Sequence, residues 1–302
     1  MCKMLVLMKE QLIEILPTLE ADFPRSLSIY HMIRNTVRGK FAWPGIEFVV
    51  DAFPDFAVCI CRPRNDRKDY VPLKNGYDVL IYSKDASVLR KMLYGCPDTL
   101  DWTNDILFED ITEPEHLVLL EDGQGFHGGR FDHLVVQEGF PPGKIAYALD
   151  LPNLDLEHSV PPGFCLGSLG VEHVTKIARE RSYGNTENNE KSLRYMIEQG
   201  FPNAALFVQG TTEPLAYCLY RSEGILATGY VNPAYRQRGF YQLVLKALMR
   251  KLRDLGEISV WVMTMQFNVT SQKSLTAVGG KEFKGKIMHA ITYTSANNLT
   301  SS

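Results

Sequence analysis

Gly229-Tyr230-Val231-Asn232-Pro233-Ala234-Tyr235-Arg236-Gln237-Arg238-Gly239-Phe240-Tyr241, continuing into Gln242-Leu243-Val244-Leu245-Lys246-Ala247-Leu248, reads as strand, short loop and helix. Tyr230 and Val231 close a β-rich run, and Pro233 has no N–H to offer a ladder. From Tyr241 onward the apolar positions 243, 244, 247, 248 and 252 recur at helical spacing. The loop therefore opens a helix. A helix start carries backbone N–H groups without intrahelical acceptors and a partial positive charge, so a phosphate can bind there without a dedicated side chain. Arg236 and Arg238 add cationic side chains beside those donors, and Gly239 lets the backbone approach a ligand with no Cβ in the way.

Outward from this loop, the second half of the chain reads as two helices (about 171–180 and 190–199) and three strands (204–208, 215–220 and 225–231). After the loop's own helix come a strand over 258–263, a helix near 271–277 and a last strand from Phe283. The first half repeats that order. Helical patterns run over Leu5–Leu19 and Leu27–Val37, with Pro24 and Ser26 as a start signal. Strand-like runs over 46–50, 56–61 and 77–82, parted by Phe53-Pro54-Asp55 and Lys74-Asn75-Gly76, predict an antiparallel meander. A helix over 86–94, a strand over 106–108, a helix near 114–120 and a strand near 134–136 complete it. Leu151-Pro152-Asn153 and Val160-Pro161-Pro162-Gly163 punctuate the boundary between the halves.

The 302 residues suit two domains of ordinary size, and 45% apolar with 22% charged residues is a soluble globular composition. A formal net charge of −3 argues against nucleic acid as the main partner, because phosphate-backbone binding requires a basic face. The six cysteines form neither a disulfide framework nor metal-ligand pairs, so free thiols in an intracellular, reducing compartment are expected, and no metal. Met4-Leu5-Val6-Leu7-Met8 is too short for a signal core or membrane span and reads as the start of the first helix.

The 236–241 segment resembles the pyrophosphate loop of the Gcn5-related acyltransferases, with Tyr241 standing where a small residue is usual. The resemblance extends across the chain to the glycine N-acyltransferase and glycine N-acyltransferase-like family. Its carriers are Phe23-Pro24-Arg25-Ser26-Leu27-Ser28-Ile29-Tyr30, Val50-Asp51-Ala52-Phe53-Pro54-Asp55-Phe56 and Asn189-Glu190-Lys191-Ser192-Leu193-Arg194-Tyr195, in that order. It implies an α/β (α+β) fold of two tandem acyltransferase-like units, each a mixed, mostly antiparallel sheet flanked by helices. The units would be a degenerate one over residues 1–152, with Ser83-Lys84-Asp85 where the loop would sit, and an acyl-CoA-binding one over 163–295.

The activity implied is transfer of an acyl group from acyl-coenzyme A to the amino group of glycine or another small amino acid, in the mitochondrion or the cytoplasm. The ligand-binding residues it implies are Tyr230, Val231, Arg236, Gln237, Arg238, Gly239, Phe240, Tyr241 and Asn268. Backbone N–H groups near Tyr230 or Val231 would polarise the thioester carbonyl. Asn268 would bond the pantetheine arm or cap the helix that follows. Where the family offers a Tyr as acid, seven positions after Asn268, this chain has Leu275; where it offers a Glu as base, Ile225. Glu223 stands two residues before Ile225 and is either a substitute base or a solvated turn residue. Arg194 is either a clamp for the acceptor carboxylate or an exposed helix charge. The alternative reading is a coenzyme A-binding protein with lost or weak turnover.

Overall fold

In the computed structural model, which describes residues 4–299 apart from 74–75, 113–114, 116–117, 124, 135–141 and 181–185, the chain opens on β1 (Leu5–Val6), α1 (Lys9–Glu20) and α2 (Leu27–Arg38). The helix expected from Leu5 begins only at Lys9, because Leu5 and Val6 pair with Val50 and Val49 at a sheet edge. Ser26 precedes α2, but its hydroxyl donates to the Leu19 carbonyl and ties the end of α1 to the start of α2.

The meander follows as β2 (Ile46–Val50), β3 (Val58–Pro63) and β4 (Asp78–Ser83), antiparallel throughout. Next come α3 (Ala86–Gly95), β5 (Ile106–Ile111), β6 (Arg130–His133) and β7 (Lys144–Asp150). The second half supplies β8 (Phe164–Gly167), α4 (Val174–Glu180), α5 (Thr186–Glu198), β9 (Asn203–Val208), β10 (Pro214–Tyr220) and β11 (Leu226–Val231). It ends with α6 (Phe240–Asp254), β12 (Ser259–Met265), α7 (Val269–Ala277), β13 (Lys281–Thr294) and α8 (Ala296–Leu299). Of the helix expected near 114–120, residues 118–122 form a π-turn, while 114, 116 and 117 lie outside the described residues. Residues 135–136 of an expected strand and 74–75 of an expected turn also lie outside them.

Strands line up as β1-β2-β3-β4-β5-β13-β7-β12 in one sheet and β11-β10-β9-β8 in the other. Pairing crosses the 152–163 boundary in both directions. β7, from the first half, lies between β12 and β13, with Lys144–Asp150 opposite Met265–Ser259. The far part of β13 lies in the first half, where Ile291–Tyr293 oppose β5 on one side and His133–Phe131 of β6 on the other. Each half therefore closes its sheet with the other's last strand. β13 manages the crossing at a register shift between Glu282 and Ile287 that contains Gly285, whose φ of +69° suits glycine.

The helices are shared as well. Leu12, Ile15 and Leu19 of α1 and Ile29, Met32 and Ile33 of α2 pack in one buried cluster with Val174, Ile177, Leu193 and Met196 of α4 and α5. Arg38 Nη1 donates to Glu257 Oε1 at 2.8 Å, and Arg34 reaches the other oxygen of this buried carboxylate. Cys59, Cys61, Cys165 and Cys218 are free thiols, whereas Cys96 is disulfide-bonded, contrary to the expectation of thiols throughout. Among the described residues no helix is long and apolar enough to cross a membrane, and no cluster of three His, Cys, Asp or Glu side chains is placed to hold a metal ion.

Candidate acyl-transfer site

The two halves build the same strand-to-helix junction and finish it differently. After β4, the Asp85 carboxylate accepts from Ser87 N at 2.7 Å and from Val88 N, so the start of α3 is capped by its own side chain. The Ser87 hydroxyl and these two N–H groups hold the Asp85 carboxyl below the usual carboxylate range. β4 and β5 also pair in parallel over Asp78–Leu80 and Leu107–Glu109, which leaves no gap between them. After β11 the corresponding positions are open. Asn232 Oδ1 accepts from Ala234 N at 3.0 Å and starts a 3-10 turn over Pro233–Tyr235. Gln237 and Gly239 then take positive φ values of +62° and +76° and lead into α6, which has no side-chain cap among the described residues. Arg236, Gln237, Arg238 and Gly239 are exposed, and a Cβ at Gly239 would meet nothing within 4 Å. Arg236 Nε donates to the Val231 carbonyl at 3.2 Å, and the Arg238 guanidinium lies over the Tyr235 ring at 5.3 Å. A fifteen-residue helix thus presents its positive end, flanked by two guanidinium groups, to solvent.

Beside this helix start, β11 and β12 splay apart. Their described ladder contact is the bridge between Ile225 and Trp261, after which β12 is paired on its other edge by β7 and β11 by β10. The facing edges of the two strands are left to line a trough. β11 spends one residue more than β10 between the pairs Tyr217–Tyr230 and Leu219–Ala227, and Thr228 has a φ of +56°. Such a bulge leaves a residue out of the ladder and re-aims the backbone groups next to it.

The trough holds two cavities. The larger, about 720 Å³, runs from Arg236 and Gly239 past Tyr230 and Val231 to Ser274. The smaller, about 240 Å³, reaches Glu109, Lys144, Arg221, Glu223 and Ile225. Gly229, Tyr241, Asn268 and Ser271 line both. The sequence-derived positions from Tyr230 to Tyr241 are therefore gathered at the larger cavity or its rim. Asn268 stands at the junction, with Oδ1 accepting from Ser271 N at 3.1 Å, so it caps α7.

Glu223 is not a solvated turn residue: it is 2 % exposed, because α2 covers its turn. His31 lies against Gly224, and Asn35 Nδ2 donates to the Ser222 carbonyl at 2.7 Å. Both Glu223 carboxylate oxygens accept from Arg221, Oε2 from Nε at 3.3 Å and Oε1 from Nη2. Arg221 Nη2 also lies 3.7 Å from Glu109 Oε2, whose other oxygen is 4.0 Å from Lys144 Nζ. Burial of these charges is tolerable because they alternate in sign. Ile225 lies beside them as an apolar wall.

Arg194 is elsewhere. It sits half-exposed on α5, paired with Glu190 at 3.3 Å, and lines neither cavity. Leu275 is fully buried in the core under α6. Glu109, Lys144 and Arg221 escaped the sequence reading. The first had a signal, an acidic pair inside the apolar run Ile106–Ile111; Lys144 had none.

Residues 4–116 match the family described as aralkyl acyl-CoA:amino acid N-acyltransferase. A mouse glycine N-acyltransferase-like protein is 25% identical over 284 residues, covering 89% of this chain and 93% of that protein. The mouse glycine N-acyltransferase-like protein Keg1 is 25% identical over 292 residues, 91% and 95% of the two chains. Among solved structures, a Drosophila protein superposes with a TM-score of 0.73 at 14% identity, covering 97% of this chain and 99% of that one. A tandem GNAT protein from the clavulanic acid biosynthesis pathway gives 0.57 at 13% identity, covering 96% and 97%. These two likenesses are of fold.

Proposed function

We propose that the chain is an acyltransferase of the glycine N-acyltransferase-like family and that it transfers an acyl group from acyl-coenzyme A to the amino group of glycine or another small amino acid. The observation that carries the reading is the continuity of the trough, from an uncapped helix start to a buried cluster of alternating charges. The diphosphate lies at the N–H groups of the 237–241 segment with Arg236 and Arg238 beside it. The pantetheine arm, an extended chain with amides, runs between the strand edges of 227–231 and 262–265 and bonds to their main chain as an added strand would. The thioester then reaches the bulge at Thr228, where re-aimed N–H groups polarise its carbonyl.

The acceptor enters the smaller cavity. Glu109 and Glu223 attract its ammonium and take up the proton it must lose, while Arg221 and Lys144 attract its carboxylate. In this reading the first unit, residues 1–152, has given up the ligand loop and instead walls the acceptor cavity with Glu109 and Lys144. Arg194 takes no part.

A second reading, coenzyme A binding with little turnover, is favoured by one observation: both carboxylate oxygens of Glu223 already accept from Arg221, so neither is presented to an incoming amine alone. Incubation of the purified chain with acetyl-, benzoyl- and phenylacetyl-CoA and a mixture of amino acids, read by mass spectrometry, separates the two. An N-acyl amino acid above the protein-free control is expected; coenzyme A binding without product supports the second reading.

A further inference from the structure

We propose that Tyr241 donates the proton to the departing thiolate of the acyl donor, a role that rests on the acyl-transfer reading above. When an amine nitrogen attacks a thioester carbonyl, a C–N bond forms and the C–S bond breaks with its electron pair leaving on sulfur. The nitrogen sheds one proton and the sulfur gains one. A phenol has an ordinary pKa near ~10 and a thiol near ~8.5, so a phenol can share its proton with sulfur as charge develops there and recover it from solvent afterwards.

The place where this proton is needed is the part of the smaller cavity beside Thr228 and Gly229, where the thioester arriving from the larger cavity meets the acceptor. Gly229, Tyr241, Asn268 and Ser271 face both. Of these four only Tyr241 carries a proton acidic enough for the task, and the Asn268 side chain is engaged in capping α7. The Tyr241 hydroxyl stands 2.7 Å from where a Cβ on Gly229 would be, so the ring reaches over the strand backbone next to the bulged Thr228. The missing side chain at Gly229 is what admits it. Leu275, buried in the core and aliphatic, supplies no proton. The other ionisable groups of the smaller cavity, Glu109, Asp110, Lys144, Arg221 and Glu223, do not line the larger one, from which the thioester arrives. The large residue at the helix start, which crowds a loop where small residues would serve phosphate binding better, thereby acquires a chemical reason.

The test is Tyr241→Phe, which keeps the ring over Gly229 and removes only the hydroxyl. The full chain is assayed with phenylacetyl-CoA and the amino acid that the wild type acylates best, and coenzyme A affinity is measured by calorimetry. A fall in kcat of about 10²-fold with an unchanged Kd for coenzyme A is expected. A kcat within about threefold of wild type overturns the proposal, as does a loss of kcat matched by an equal loss of coenzyme A affinity, which would make Tyr241 a packing residue. A wild type that acylates no amino acid removes the acyl-transfer reading and this role with it, whereas active wild type and equally active Tyr241→Phe remove this role alone.

Discussion

Trp261 donates from its indole Nε1 to the main-chain carbonyl of Glu223 at 2.7 Å, and its own N–H reaches the Gly224 carbonyl at 3.2 Å. The two sheets are pinned together here, at the closed end of the trough, and diverge beyond it. Trp261 is 1 % exposed, so nothing else can take up its bond to Glu223. Trp261→Phe leaves a buried carbonyl unpaired and a void beside it, and is expected to cost about 2–4 kcal/mol. Denaturant unfolding measures this, and coenzyme A affinity should fall as the strand ends lose their fixed separation.

Gly229 and Tyr241 offer a paired test of the junction between the two cavities. A Cβ at Gly229 would come within 2.7 Å of the Tyr241 ring, so Gly229→Ala is expected to destabilise by about 1–3 kcal/mol through overpacking. Trimming the ring in a Gly229→Ala/Tyr241→Ala double variant should recover part of that loss. A double-mutant cycle on melting data reads the coupling, and strict additivity would mean that the two residues do not meet.

Arg221 holds together two buried carboxylates, those of Glu223 and Glu109. Arg221→Met should be among the costliest substitutions in the protein, about 3–5 kcal/mol, because both acids lose their common cation. Glu223→Gln keeps one hydrogen bond to the guanidinium and should be milder in stability. Its effect on turnover separates a proton acceptor from a purely structural partner.

Acid stability should depend on two groups that work against each other. Burial and the nearby Arg34 push the His31 imidazole down to about 3. Below its usual pKa near ~6.5 the unfolded chain takes up a proton that the native state refuses, so this contribution is complete above about 6.5 and falls as pH descends. Burial pushes the Glu115 carboxyl up to about 7 despite bonds from Ser83 N and Thr112 Oγ1. There the native state holds the proton more tightly, and stability falls as pH rises through that range. Between about pH 4.5 and 6.5 the slopes offset each other. Glu115→Gln should expose a loss of up to about 1.4 kcal/mol per pH unit on acidification, and His31→Phe the opposite trend. Unfolding at a series of pH values checks both, and parallel profiles in the two variants would contradict the assignment.

The loop from Arg236 to Gly239 was legible because its signal is local: strand end, proline, glycine and an amphipathic run lie within a few turns of one another. The meander β2–β4 was legible for the same reason, and the structure moves its boundaries by at most two residues. Strand exchange was not. Lys144–Asp150 and Ile287–Thr294 have the composition of any half-buried strand, and nothing in their alternation states which half supplies the neighbour. The burial of Glu223 was equally hidden, since Arg221-Ser222-Glu223-Gly224 has turn composition and segments far away in sequence, α2 and Trp261 among them, take it out of solvent. Arg194 shows the converse: it pairs with Glu190 on its own helix, and a charge on an amphipathic helix carries no information about which cavity lies near it.

Arg236 and Arg238 belong to the exposed loop and make few contacts with the rest of the protein, so replacing both with Ala should leave unfolding unchanged within about 0.5 kcal/mol. Binding of acyl-CoA should weaken by about tenfold or more, as each lost charge-assisted bond to phosphate contributes roughly 1.5–3 kcal/mol at most.

The strand gap as the acyl-CoA cleft is tested most directly by a crystal structure of the wild-type chain with coenzyme A. The diphosphate is expected at the N–H groups of residues 237–241, and the pantetheine arm between Ala227–Val231 and Val262–Met265, with its sulfur near Gly229 and the Tyr241 hydroxyl. Coenzyme A bound elsewhere, for instance in the cavity of about 560 Å³ lined by Arg64, Arg67 and Trp102 in the first half, would contradict it.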